Sequence, residues 1–175
     1  MRFATFAAVA ALLLSGTIAV AQSVNYDFDR SANFSSFKTY AWTRGTEVSD
    51  QLNHKRIVLS IDAQLAQKGM RMVEASGTPD VLIAYHVRLA RDLQIDGFSS
   101  GLGGYRWGGN RSGSARAAEI TVGTIVVDIV DAHTKTIVWR GTTSKDLDGG
   151  ASAEKRDKNA RKAMEKLFKN YPPKP

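Results

Sequence analysis

Two runs of alternating residues, 80-DVLIAYHVRLARDLQI-95 and 118-AEITVGTIVVDIVD-131, restrict the folds open to this chain more than any other feature. Side chains along a strand point alternately to opposite faces. A run with Val81, Ile83, Tyr85, Val87 and Leu89 on one parity therefore lays that face against a core. The second run is apolar on both faces near its centre. It leads through the turn residues 131-DAHTK-135 into a third alternating run, 136-TIVWRGTTS-144. Strands joined by so short a turn form an antiparallel hairpin. The chain is thereby committed to a sheet that other elements must cover.

The cover is visible at helical spacing. Ile57, Val58, Ile61 and Leu65 fall on one face of a segment between Ser49 and Lys68, with Ser49 or Asp50 as N-cap and Gly69 as the stop. A second stripe of Ala160, Ala163, Met164, Leu167, Phe168 and Tyr171 marks a C-terminal helix that Ser152 can cap and Pro172-Pro173 ends. Upstream, 24-VNYDFD-29 and 38-KTYAW-42 alternate as strands around the turn 31-SANFSSF-37, whose two phenylalanines anchor it. A short strand at 70–74 precedes the turn 76-SGTP-79. The predicted order is β-β-α-β-β-β-β-α. It describes an α+β domain with a largely antiparallel β-sheet and two helices packed on one face. No internal repeat or second domain is apparent.

The first residues address the compartment. Met1-Arg2, the apolar run from Phe3 to Leu14, and small residues at Ala19 and Ala21 make a signal peptide over 1–21 with cleavage expected after Ala21. A membrane anchor is the alternative, but alanine, serine, threonine and glycine dilute the segment, and it barely reaches spanning length. The mature domain would run from Gln22 to Pro175 in the periplasm or outside the cell. The sequence holds no cysteine, so it offers no disulfide, no thiol nucleophile and no site for lipid attachment, and it is not expected to be a lipoprotein. The formal charge is +7, and much of the excess lies between Glu154 and Pro175. Such charge suits anionic lipid, lipopolysaccharide or cell-wall polymer, but a solvated helix face is the simpler reading and is preferred.

Between the two long runs lies 97-GFSSGLGGYRWGGNRSGSAR-116. It lacks the third glycine of a dinucleotide fingerprint, and it lacks the lysine and following helix of a P-loop. Arg106, Arg111 and Arg116 interleave with Phe98, Tyr105 and Trp107, chemistry that suits single-stranded nucleic acid. A secretory signal argues against nucleic acid as a partner. The same side chains suit a sugar ring or a phosphate head group, and Tyr105, Arg106, Trp107 and Arg111 are the candidate binding residues. The competing reading is a flexible hairpin loop. Catalytic constellations are sparse. His54, His86 and His133 are widely separated with no ligand spacing, so no metal or cofactor is expected. No Gly-x-Ser-x-Gly elbow exists. Asp128 alone interrupts an apolar strand centre. Depending on the turn it meets Arg140 or Trp139 across the hairpin.

Three segments, 26-YDFDRSANFSSFKTYAW-42, 79-PDVLIAYHV-87 and 123-GTIVVDIVDAHTKTIVWRGT-142, with a helix ending in Tyr171-Pro172-Pro173, resemble the bacterial envelope family catalogued as domain of unknown function 4136. The resemblance covers essentially the whole mature chain. It implies an exported α+β domain, often a lipoprotein, with a glycine- and tyrosine-rich insert before the hairpin and no catalytic residues to transfer. The absent cysteine departs from the lipoprotein pattern. Tyr40 and Trp42 match the opening motif. Asp128, Asp131, Trp139, Arg140 and Gly141 match the hairpin motif, and residues of these types on strands and turns more often serve packing and turn geometry than chemistry.

Three functions remain in view. The first is a non-enzymatic envelope module that binds a glycan, lipid head group or protein through the glycine/aromatic loop, with the basic helix assisting. The second is a structural or assembly protein acting by protein–protein contacts through an exposed sheet edge. The third is a hydrolase built around Asp128 or His133.

Overall fold

The computed structural model describes residues 22–46, 50–74, 76–95 and 117–174. Its elements follow the predicted order: β1 (Ser23–Phe28), β2 (Thr39–Trp42), α1 (Gln51–Gln67), β3 (Arg71–Met72), β4 (Val81–Ile95), β5 (Ala117–Asp131), β6 (Ile137–Asp146) and α2 (Ala153–Leu167). Single 3-10 turns occupy Phe34–Ser36 and Phe168–Asn170. Asp50 accepts the Asn53 amide and caps α1, and Ser152 accepts the Lys155 amide and caps α2.

The six strands form one sheet in the order β1-β6-β5-β4-β2-β3. β1, β6, β5 and β4 are successively antiparallel, whereas β2 runs parallel to both β3 and β4. The parallel part arises because α1 carries the chain back along the sheet between β2 and β3, and a crossover of that kind restores the strand direction. The strand expected over 70–74 is reduced to Arg71–Met72. Val73 still donates to Tyr40, but Glu74 is drawn into a turn by the Gly77 amide.

Both helices pack on one face of the sheet. Val81, Ile83 and Tyr85 of β4, with Val127 and Ile129 of β5, meet Ile57, Ile61 and Leu65 of α1 and Met164 and Leu167 of α2. Trp139 fills the centre, stacked on Phe168 at 5.2 Å and edge-on to Tyr171 at 5.4 Å. Phe34 joins this cluster through an edge contact with Tyr171, so the first turn is anchored as its aromatics predict. The apolar parity of β4 outruns its cover: Val87 is half-buried, and Leu89 is 65% exposed. β1 is likewise more exposed than its alternation suggests, because it is an edge strand at which Val24 and Tyr26 remain open.

Candidate functional site

Among the described residues, both helices lie on the first face of the sheet, and the Asp128 side chain lies on the second. Ala84, Asp128, Arg140 and Asp27 are successive cross-strand partners on β4, β5, β6 and β1. Between Arg140 and Trp139 as the partner of Asp128, the register selects Arg140, with a bulge one residue further on between Ile129 and Val130. The contact is bidentate: Arg140 Nε and Nη2 donate to the two carboxylate oxygens at 2.6 and 2.7 Å. Asp128 is 3% exposed, while the Arg140 side chain is half open to solvent. A buried carboxylate needs such a partner, and the pairing raises the Arg140 pKa further above its ordinary value.

His86 stands beside this pair, with Nε2 3.7 Å from Asp128 Oδ2 and Nδ1 2.8 Å from Thr46 Oγ1. Thr46 reaches it because residues 43–46 continue along β4, where the Thr43 and Thr46 amides donate to Ile83 and Tyr85. Gly45 allows this approach, since a Cβ there would lie 2.0 Å from the Tyr85 carbonyl oxygen. The order hydroxyl, imidazole, carboxylate is that of a hydrolytic triad, but its geometry is not. A separation of 3.7 Å exceeds a hydrogen bond, and the carboxylate that would orient the imidazole is already committed to Arg140.

Tyr40 and Trp42 converge on Asp62, which has no nearby acidic partner in sequence to mark it. Tyr40 Oη and Trp42 Nε1 both donate to Asp62 Oδ1 on α1, at 2.8 and 3.0 Å. Burial, reinforced by the bond to Asp62, raises the Tyr40 phenol above its ordinary range. Tyr85 closes the seam, edge-on to Trp42 and hydrogen-bonded through its hydroxyl to His54 Nδ1. The only sequence signal for Asp62 is its place one residue beyond Ile61 in the buried stripe of α1.

The remaining motif residues serve packing and turns. Asp131 accepts the His133 and Thr134 amides at 2.7 and 3.0 Å, which lowers its pKa, chiefly through Thr134. Trp139 and Gly141 lie two apart on one strand face, and the indole covers the glycine. A Cβ on Gly141 would sit 2.3 Å from Trp139 Cη2 and 2.8 Å from Leu167 Cδ1. A groove of about 530 Å³ opens between the helices, lined among others by Arg56, Gln64, Asp157, Arg161 and Glu165. Neither Asp128 nor His133 contributes to it. Among the described residues, no three His, Asp or Glu side chains are grouped to hold a metal ion, and no helix is long and apolar enough to cross a membrane.

Tyr105, Arg106, Trp107 and Arg111 lie outside the described residues. What is described is the arm that leads to them. The β4–β5 ladder runs unbroken from Val81↔Asp131 to Ile95↔Ala117, whereas the pairing of β5 with β6 reaches only Val122.

A family model for a domain of unknown function, DUF4136, matches residues 24–173. The chain belongs to the DUF4136 family. A solved DUF4136 family protein from Bacteroides thetaiotaomicron is 15% identical, with a TM-score of 0.52 over 86% of this chain and 96% of that one. A PDZ domain protein from Parabacteroides distasonis is 16% identical with a TM-score of 0.59 over 88% of this chain, which spans 37% of that protein's length. The PelC dodecamer from Paraburkholderia phytofirmans is 10% identical with a TM-score of 0.52, covering 85% and 95% of the two chains. No curated protein sequence matches the chain. At these identities the likeness is one of fold. In this DUF4136 domain the opening motif ties β2 to α1 through Asp62, and the hairpin motif fixes the turn, the register and the seat of Trp139.

Proposed function

We propose that this DUF4136 domain is an exported, non-enzymatic envelope module that binds a glycan, lipid head group or protein through residues 97–116. The observation that carries the reading is the β4–β5 arm. Its last pairs, from Arg91↔Thr121 to Ile95↔Ala117, lie beyond the end of the β5–β6 ladder. A two-stranded ribbon of this kind is marginal in water, so an arm this long is a poor investment for stability alone. It makes sense as a mount for the residues between its ends, where Tyr105, Arg106, Trp107 and Arg111 supply stacking and charge. The signal peptide over 1–21 supports the envelope as the place of action.

Deleting residues 97–114 tests this. The variant should keep its circular dichroism spectrum and lose retention of envelope fractions in affinity capture. Retention equal to that of the intact chain would sink the loop as the binding element.

Assembly by protein–protein contacts is the second reading. It draws support from PelC, a protein of similar fold that is a dodecamer. Under that reading the deletion is silent in capture, and light scattering of the purified chain reports a defined multiple of its mass.

A further inference from the structure

The outer surface of the helix layer combines two unlike stripes. On α2 and its 3-10 extension, Lys158, Lys162, Lys166 and Lys169 recur at intervals of four, four and three residues, and all are exposed. They lie on the face opposite Ala163, Met164 and Leu167, which are buried against the sheet. Among the described residues, none of the four makes an ion pair or a side-chain hydrogen bond; Lys155, at the start of the same row, is spent on Asp148 at 2.7 Å. At the rise of an α-helix the stripe is about 16 Å long.

The neighbouring helix presents something different. The outward row of α1 reads Leu52, Lys55, Leu59, Ala63 and Ala66, opposite the buried Ile57, Ile61 and Leu65. Leu52 is 67% exposed and Leu59 57%. Arg56 and Asp157 pin the two helices side by side at 2.5 Å. An apolar row therefore runs next to a cationic one on a single surface, facing away from the sheet.

We propose that this surface docks on an anionic lipid bilayer. A soluble polyanion would engage the lysines and leave Leu52 and Leu59 in water. A bilayer meets both rows, with head-group phosphates for the ammonium groups and the acyl boundary for the leucines. Lysine stems are long enough to let the charges stay among the head groups while the leucines sit deeper. This surface includes none of residues 97–116 and does not depend on their binding anything. Docking through it leaves the opposite sheet face, with Asp128, Arg140 and His86, pointing away from the membrane.

The test is sedimentation of residues 22–175, which contain every described element, with vesicles of phosphatidylcholine plus phosphatidylglycerol and with vesicles of phosphatidylcholine alone. The chain should bind the mixed vesicles only and be released by salt. Each lysine near such a surface contributes about fivefold in affinity. The combined Lys158→Gln, Lys162→Gln, Lys166→Gln and Lys169→Gln variant should therefore weaken binding by roughly several hundredfold. Leu52→Ser with Leu59→Ser should weaken it by at least about tenfold while leaving the salt dependence in place. Deleting residues 97–114 should leave vesicle binding unchanged, which separates failure here from failure of the loop reading. No binding, or equal binding to both vesicles, overturns the proposal. A lysine effect without a leucine effect replaces the bilayer with a generic polyanion and overturns it too. All six positions are exposed, and circular dichroism verifies that each variant is folded.

Discussion

Gly141 is a residue whose identity the packed core fixes. Its missing side chain is the space that the Trp139 indole occupies, with Leu167 pressing from α2. The motif Trp-Arg-Gly thus has a division of labour by parity: residues 139 and 141 face the helices, and residue 140 faces the other way to hold Asp128. Gly141→Ala should destabilise the domain by about 3 kcal/mol, the upper end of what overpacking a core costs, because neither the ring nor the helix can retreat without opening a void elsewhere. Urea unfolding of the two proteins checks this, and a difference below about 1 kcal/mol would mean that the indole has room to move.

At the scale of elements, the junction between β2 and β4 depends on one carboxylate. Asp80, just before β4, accepts the Lys38 and Thr39 amides and the Thr39 hydroxyl, each at 2.8 Å. The Lys38 amide, followed by the Thr39 donors, holds the carboxyl below its ordinary pKa. A depressed folded-state pKa means that the stabilisation is complete above the unfolded value near 4 and fades as pH falls through the folded one. Asp80→Asn should therefore be less stable at neutral pH by about 1–2 kcal/mol. The gap should narrow below about pH 4, as measured by urea midpoints across that range; a gap independent of pH would show that the charge is immaterial. This junction also marks the limit of what could be read from the sequence. The hairpin, both helices and both caps follow from period and capping chemistry, which are local. The parallel pairing of β2 with β4, Tyr40 with Val81, joins segments distant in sequence and has no periodic signature. The same holds for Asp62, whose partners Tyr40 and Trp42 meet it only once α1 has folded across the sheet. The exposure of Leu89 escaped for a related reason: alternation shows which face is apolar, not where the covering helix stops.

At the scale of the whole molecule, the sheet has a free edge at β1, and that edge is partly closed by its own side chains. Asp29 donates inward to Val138, so by alternation the Val24, Tyr26 and Phe28 amides point outward. Two of these three are occupied: Asn25 Oδ1 accepts the Tyr26 amide and Asp27 Oδ1 the Phe28 amide, both at 2.9 Å. An open edge is a template for strand addition. Asn25→Ala with Asp27→Ala should leave the fold in place and make concentrated solutions scatter light and bind amyloid dyes; a variant that stays monodisperse at high concentration would show that the caps are incidental. With those two donors passivated, continuation of the sheet through β1 is disfavoured, which leaves faces and helices as the surfaces open to association. Association of this kind can close on itself at a finite size, whereas templated growth from a bare edge has no natural end.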